Sequence, residues 1–181
     1  MDHFIFTNIE VVDVMGACVD HEKISEEQVR ENVFHILDSS LLCSIATVTP
    51  EGRAHINTAF FSYSERLKVY FWSHPESLHC RNLLHNKSMA TTVFSTEQPW
   101  VGPGQGIQLF GTGEVTSGPA ADEAEGSYAR RFEDYRNWKA ALSENDPARQ
   151  YHFYRFDVSS VKILDEKNWG DVWVRASVLP S

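Results

Sequence analysis

From position 41 to position 116 the chain alternates between short apolar runs and turn signals, and it carries few charges there. Residues 43–49 are mostly β-branched or small, Pro50-Glu51-Gly52 marks a turn, and residues 54–63 resume an extended pattern, which together predict a β-hairpin. Ser64-Glu65-Arg66 turns the chain again into residues 67–73, where Leu67, Val69 and Phe71 face one way and Lys68, Tyr70 and Trp72 the other. The three runs predict a meander. Residues 89–95 and 106–116 predict two further strands, separated by a loop over 98–105 that holds Pro99, Gly102, Pro103 and Gly104.

Helical spacing appears outside and between these runs. Ser25 and Gln28 form a capping-box pattern, followed by Val29, Val33, Ile36 and Leu37 on one face up to Ser39-Ser40. Ser73 and Glu76 repeat the capping pattern with Pro75 in the first turn, predicting a second helix from His74 to His85. Residues 120–138 are helical in composition, and Asn145-Asp146-Pro147 interrupts any continuation. Residues 152–158, 161–164 and 172–178 predict closing strands. Ile9 to Met15 fits either a short edge strand or an arm laid on a partner subunit. Short strands joined mostly by hairpins, with helices at a few crossings, indicate a mainly β chain with flanking helices, built as an antiparallel barrel. A single domain spanning 1–181 is expected, with an N-terminal arm over 1–20 and a helical insertion over 120–150.

Composition narrows the partners. Sixteen Lys and Arg against 25 Asp and Glu leave a formal charge of -9, which argues against nucleic acid or an anionic membrane surface. Cys18, Cys43 and Cys80 are odd in number and lack CxxC spacing, so no disulfide framework or zinc knuckle is expected. There is no basic segment followed by an apolar core at the start of the chain, and no run near the ~18 apolar residues of a membrane span, so a cytoplasmic location is expected.

Candidate chemistry is sparse. His74, His79 and His85 lie on one predicted helix, but His79 faces away from the others and His74 and His85 are about 16 Å apart along its axis, too far to share a metal. No GxSxG elbow is present, and Cys43 and Cys80 sit in apolar or helical patterns that favour buried, inert thiols. The glycines at 102, 104 and 106 precede a strand and so are not a dinucleotide fingerprint. The start of the second helix offers Ser77, His79 and Arg81 to an anion, although capping by Ser73 and Glu76 is the simpler reading.

The hairpin, then Tyr70-Phe71-Trp72-Ser73, then Ser77-Leu78-His79-Cys80-Arg81-Asn82-Leu83, then Gly106-Ile107-Gln108-Leu109-Phe110-Gly111, taken in that order, resemble the pyridoxamine 5'-phosphate oxidase-like family of FMN-binding split barrels. The resemblance covers residues 26–116, and Tyr128-Ala129-Arg130-Arg131-Phe132 and Tyr154-Arg155-Phe156 are similar to later segments. It implies a split antiparallel β-barrel and a homodimer with FMN at the subunit interface. By position it implies cofactor contacts from Asn57, Thr58, Ala59, Phe60, Phe61 and Ser62 on the second strand and Phe71 and Trp72 on the third. It adds Ser77, Leu78 and His79 at the helix start and Gln108 on the fifth strand. Packing alone also accounts for Ala59 and the aromatic residues; Gln108, polar between Ile107 and Leu109, needs a partner from the flavin ring or a dimer contact.

The departures bear on function. Where the oxidases carry two basic residues on the second strand and a lysine after the helix-start serine, this chain has Asn57, Ser62 and His79. Each charge-assisted hydrogen bond contributes about 1.5–3 kcal/mol, so Arg53, Arg81 or a partner-chain residue would have to substitute. The substrate-binding tail of the oxidase is not matched; Trp169, Trp173 and Arg175 are the C-terminal candidates, and vitamin B6 oxidation is not expected. The expectation is an FMN-dependent oxidoreductase acting on a small molecule, in which the flavin carries the redox chemistry and no catalytic side chain need be visible. The alternatives are a deazaflavin (F420)-dependent reductase and a non-enzymatic dimeric barrel that holds flavin or haem.

Overall fold

The computed structural model describes residues 4–180. In chain order the elements are β1 (Phe4–Val12), α1 (Glu26–Asp38), β2 (Leu42–Val48), β3 (Ala54–Tyr63), β4 (Lys68–Ser73), α2 (Leu78–His85), β5 (Ser88–Phe94) and β6 (Gln105–Val115). They continue with α3 (Pro119–Arg131), α4 (Tyr135–Ala140), a 3-10 turn (Pro147–Gln150), β7 (His152–Asp165), α5 (Glu166–Trp169) and β8 (Trp173–Pro180). The strands pair antiparallel in the order β1-β8-β7-β4-β3-β2-β5-β6, and β6 also pairs with β7. That last pairing closes β7-β4-β3-β2-β5-β6 into a six-stranded barrel, the split-barrel architecture expected from the sequence.

Two irregularities make the barrel split. Strand β7 is one 14-residue strand, where the sequence predicts two. Its first half pairs with β4 and its second half with β8, while β6 runs along its other edge. Between the halves the register slips, Phe110 opposite Ser160 and Gly111 opposite Val158, so Ser159 is bulged out. Gly111 allows this close approach: a Cβ there would meet the Asp157 carbonyl oxygen at 2.0 Å. The polar pair Ser159-Ser160, which separates the two predicted strands, marks the bulge. The second irregularity lies in β3, which pairs with β4 only from Phe61 to Tyr63. From Ala54 to Phe60 it has β2 on one side and, among the described residues, no strand on the other.

The interior is filled by Ile45, Phe61, Phe71, Leu109, Phe156 and Ile163, all fully buried, each worth about 1.5–3 kcal/mol of transfer free energy. Helix α1 adds Val29, Val33, Ile36 and Leu37, and its capping box is formed as the sequence predicts, Gln28 N–H donating to Ser25 Oγ at 3.2 Å. A smaller aromatic core lies under α3 and α4, where Tyr70, Tyr128, Tyr135 and Phe153 pack with Trp72 and Phe132.

Other expectations are revised. The N-terminal segment is an edge strand on β8 from Phe4, whereas Val14 and Met15 sit exposed in a turn; the first three residues of the expected arm lie outside the described residues. The long helix over 120–138 is two helices broken at Phe132, whose extended backbone turns its ring onto Tyr128 at 4.5 Å and Phe60 at 5.7 Å. Tertiary packing overrides helical composition there. Helix α2 begins at Leu78, four residues later than the sequence predicts, and the Ser73–Glu76 capping box is not formed. Ser73 is still the last residue of β4, and its hydroxyl is engaged elsewhere.

Candidate functional site

The open stretch of β3 forms one wall of a cavity of about 740 Å³. Asn57, Thr58, Ala59 and Phe60 line it from β3, Trp72 and Ser73 from the end of β4, and His79 from α2. Residues of α3, α4 and the 3-10 turn supply the facing wall. The volume falls within the ~300–1,000 Å³ of small-molecule sites, and the mostly aromatic lining with a few convergent polar groups is typical of them.

One end is polar. Ser73 Oγ lies 2.8 Å and Ser77 Oγ 3.1 Å from Nε2 of His79, and the two hydroxyls are 3.3 Å apart. The His79 ring stacks parallel to that of His55 at 6.4 Å and leans on Phe71 at 5.9 Å. Burial, with a smaller repulsion from His55, lowers the His79 pKa to about 4, so the imidazole is neutral at pH 7. Ser77 occupies the N-cap position of α2, yet its side chain makes no capping hydrogen bond, and no acidic residue stands in the first turn. The N–H groups of that turn and the helix dipole therefore remain open to an anion. On the β3 wall, Asn57 Oδ1 is buried without a hydrogen-bond partner.

Of the sequence-derived residues, the structure brings Asn57, Thr58, Ala59, Phe60, Trp72 and His79 onto the cavity, with Ser77 touching His79. Phe71 lies behind the site, fully buried and stacked on Tyr154 at 5.2 Å. Phe61 and Ser62 are also fully buried; Ser62 pairs with Tyr70 where β3 meets β4. Leu78 is partly exposed at the first turn of α2. Gln108 is away from the cavity, on the outer face of the barrel, between Thr92 of β5 and Lys162 of β7. Arg175 and Trp173 lie farther along that face on β8, where Lys162 Nζ sits 4.3 Å over the Trp173 ring. Burial raises the Cys43 thiol to about 12, in line with an inert core cysteine.

The sequence reading missed the facing wall: Tyr128, Phe132, Asp134, Tyr135, Trp138 and Tyr151. A signal was present, because positions 128, 132, 135 and 138 recur at three- and four-residue spacing and mark one aromatic helical face.

Residues 29–165 match the family model described as pyridoxamine 5'-phosphate oxidase. The chain belongs to the pyridoxamine 5'-phosphate oxidase-like family. No curated protein matches it. Among solved structures, it is similar to a haem-binding protein from Mycobacterium smegmatis at 16% identity and TM-score 0.62, covering 78% of this chain and 55% of that one. It thus spans little more than half of that protein. A protein related to general stress protein 26, of the pyridoxine phosphate oxidase family, from Clostridium acetobutylicum aligns at 15% identity and TM-score 0.60, covering 83% and 95%. The haem storage protein HutZ of Vibrio cholerae aligns at 14% identity and TM-score 0.57, covering 71% and 88%. At these identities the likeness establishes the split barrel for this family member and nothing finer. No helix among the described residues is long and apolar enough to cross a membrane.

Proposed function

We propose that this family member is a homodimeric FMN-dependent oxidoreductase whose flavin occupies the cavity between the open stretch of β3 and the aromatic wall. The observation that carries the reading is the uncapped start of α2, which leaves first-turn N–H groups together with Ser73, Ser77 and His79 at one end of an aromatic cavity. These groups fit a phosphate, the aromatic walls fit a planar ring, and Asn57 Oδ1 offers an acceptor to a ring N–H. Bound FMN would supply the hydride chemistry; the protein positions it and excludes water. His79 is neutral in the free protein, and a phosphate dianion beside it would favour the protonated ring, opposing the burial that lowers its pKa.

The dimer is supported by the outer face of β3-β2-β5-β6, where Leu42, Ile56, Phe60, Phe94 and Phe110 are exposed on one side of the sheet. A second copy covering this apolar face removes it from water, with Gln108 as a contact across the interface. Purified protein that is yellow, releases FMN on denaturation and sediments as a dimer supports the proposal; colourless protein that takes up no added FMN refutes it. One observation favours haem as the second reading: a neutral imidazole on an aromatic cavity is in the protonation state a metal ligand requires. A Soret band on haem titration that is lost in His79→Ala would establish that reading instead.

A further inference from the structure

The charge inventory of the cavity points to the class of molecule that meets the flavin. Asp134 is the only acidic or basic lining residue apart from His79, and His79 is uncharged. The Asp134 carboxylate makes no hydrogen bond or ion pair among the described residues: although Asp134 is the N-cap of α4, its side chain does not cap it. Arg130 and Arg136, close in sequence, are not among the lining residues, and three other nearby cations are committed elsewhere. Lys139 pairs with Glu125 at 2.7 Å, Arg131 donates to the Leu37 and Ser40 carbonyls, and Arg149 donates to the Leu142 and Ser143 carbonyls.

Aromatic rings line the same cavity, and Trp138 follows Asp134 by one turn of α4, its N–H donating to the Asp134 carbonyl. Trp72 meets Trp138 at 5.3 Å, Tyr151 at 5.1 Å and Tyr135 at 5.7 Å, each at a steep angle. Trp138 remains 48% exposed although it lines the cavity, so apolar surface is left for a ligand to cover. Aromatic faces attract cations, an unpaired carboxylate reinforces that attraction, and both repel an anion.

We propose that the end of the cavity formed by Trp72, Trp138, Tyr151 and Asp134 is the substrate subsite and takes a planar aromatic cation. This rests on the reading of the cavity as the ligand site, but not on the flavin itself. It sets the substrate apart from a pyridoxine phosphate, whose dianion would face Asp134 with no side-chain cation at this end to receive it.

Three near-isosteric probes test the proposal by calorimetric titration, on the protein as purified and again after FMN loading: 1-methylnicotinamide, a cation; nicotinamide, neutral; and nicotinate, an anion. The cation is expected to bind about tenfold more tightly than nicotinamide, and nicotinate not to saturate. Asp134→Asn should bring the cation to within about threefold of nicotinamide while leaving nicotinamide unchanged. Trp138→Ala should weaken both. Because Asp134 and Trp138 are exposed, folding of these variants is confirmed by an unchanged melting temperature. Equal affinities for the three probes, or an Asp134→Asn protein that keeps the full cation preference, overturns the subsite. FMN uptake is scored separately: a protein that binds no FMN but prefers the cation refutes the flavin and upholds the subsite.

Discussion

The two ends of β3 belong to one strand and do opposite work. Over Phe61–Tyr63 the strand pairs with β4, with Phe61 N–H donating to the Leu41 carbonyl on the other side, and Phe61 and Ser62 are sealed from solvent. Over Ala54–Phe60 it pairs with β2 instead, and Ile56 and Phe60 are 68% and 53% exposed. Exchanging β4 for β2 as its neighbour, β3 passes from a sealed core element to a stretch whose free edge walls a cavity and whose outer face leaves apolar side chains uncovered. The lesson is that a barrel in which two strands diverge can place a cavity wall and an exposed apolar face within seven residues of each other.

The sharpest way to separate the two ends is by stability. Phe61→Ala removes a fully buried ring and the surface over which the Arg131 guanidinium sits at 4.6 Å. It is expected to cost about 3–5 kcal/mol in denaturant unfolding. Ile56→Asp, on the open end, should leave the subunit's own stability within about 0.5 kcal/mol. If the proposed dimer forms through this face, the substitution should weaken it by about a hundredfold through an uncompensated charge, read by sedimentation at several concentrations.

Smaller effects report on the polar end of the cavity. The folded-state pKa of His79 lies near 4, below its unfolded value, so the unfolded chain binds the extra proton between about pH 6.5 and 4. Stability contributed by the neutral ring is present above that window and declines as pH falls through it. His79→Gln should flatten this decline in melting temperature measured across the window. Ser77→Ala should change stability least. An ordinary N-cap serine contributes about 0.5–2 kcal/mol, but this hydroxyl makes no capping bond, so a loss below about 0.5 kcal/mol is expected together with weaker FMN uptake.

What could be read from the chain alone follows the range of the forces involved. The capping box of Ser25 and Gln28 is local and placed α1 to within a residue. Alternating polarity likewise located β2 to β6, and with the ordered family segments it was enough for the barrel. The start of α2 was misread because Ser73 and Glu76 have the right spacing for a cap, whereas β4 holds Ser73 in its pairing with His152. The face of Gln108 depends on the register of β5, β6 and β7, which no single run contains. The aromatic wall was missed for a similar reason. Tyr128 and Tyr151 are brought together by packing on Phe153 and Trp72.

The 14-residue strand β7 also sets the order in which the molecule can be assembled. Every strand from β1 to β6 precedes it, and until it is made β4 and β6 each present a row of unsatisfied backbone groups. During synthesis the chain carries two adhesive edges that only residues 152–165 can occupy correctly. A nascent chain that lacks residues 152–165 is therefore a template for strand exchange with its neighbours, and β7 serves as the clasp that covers both edges at once.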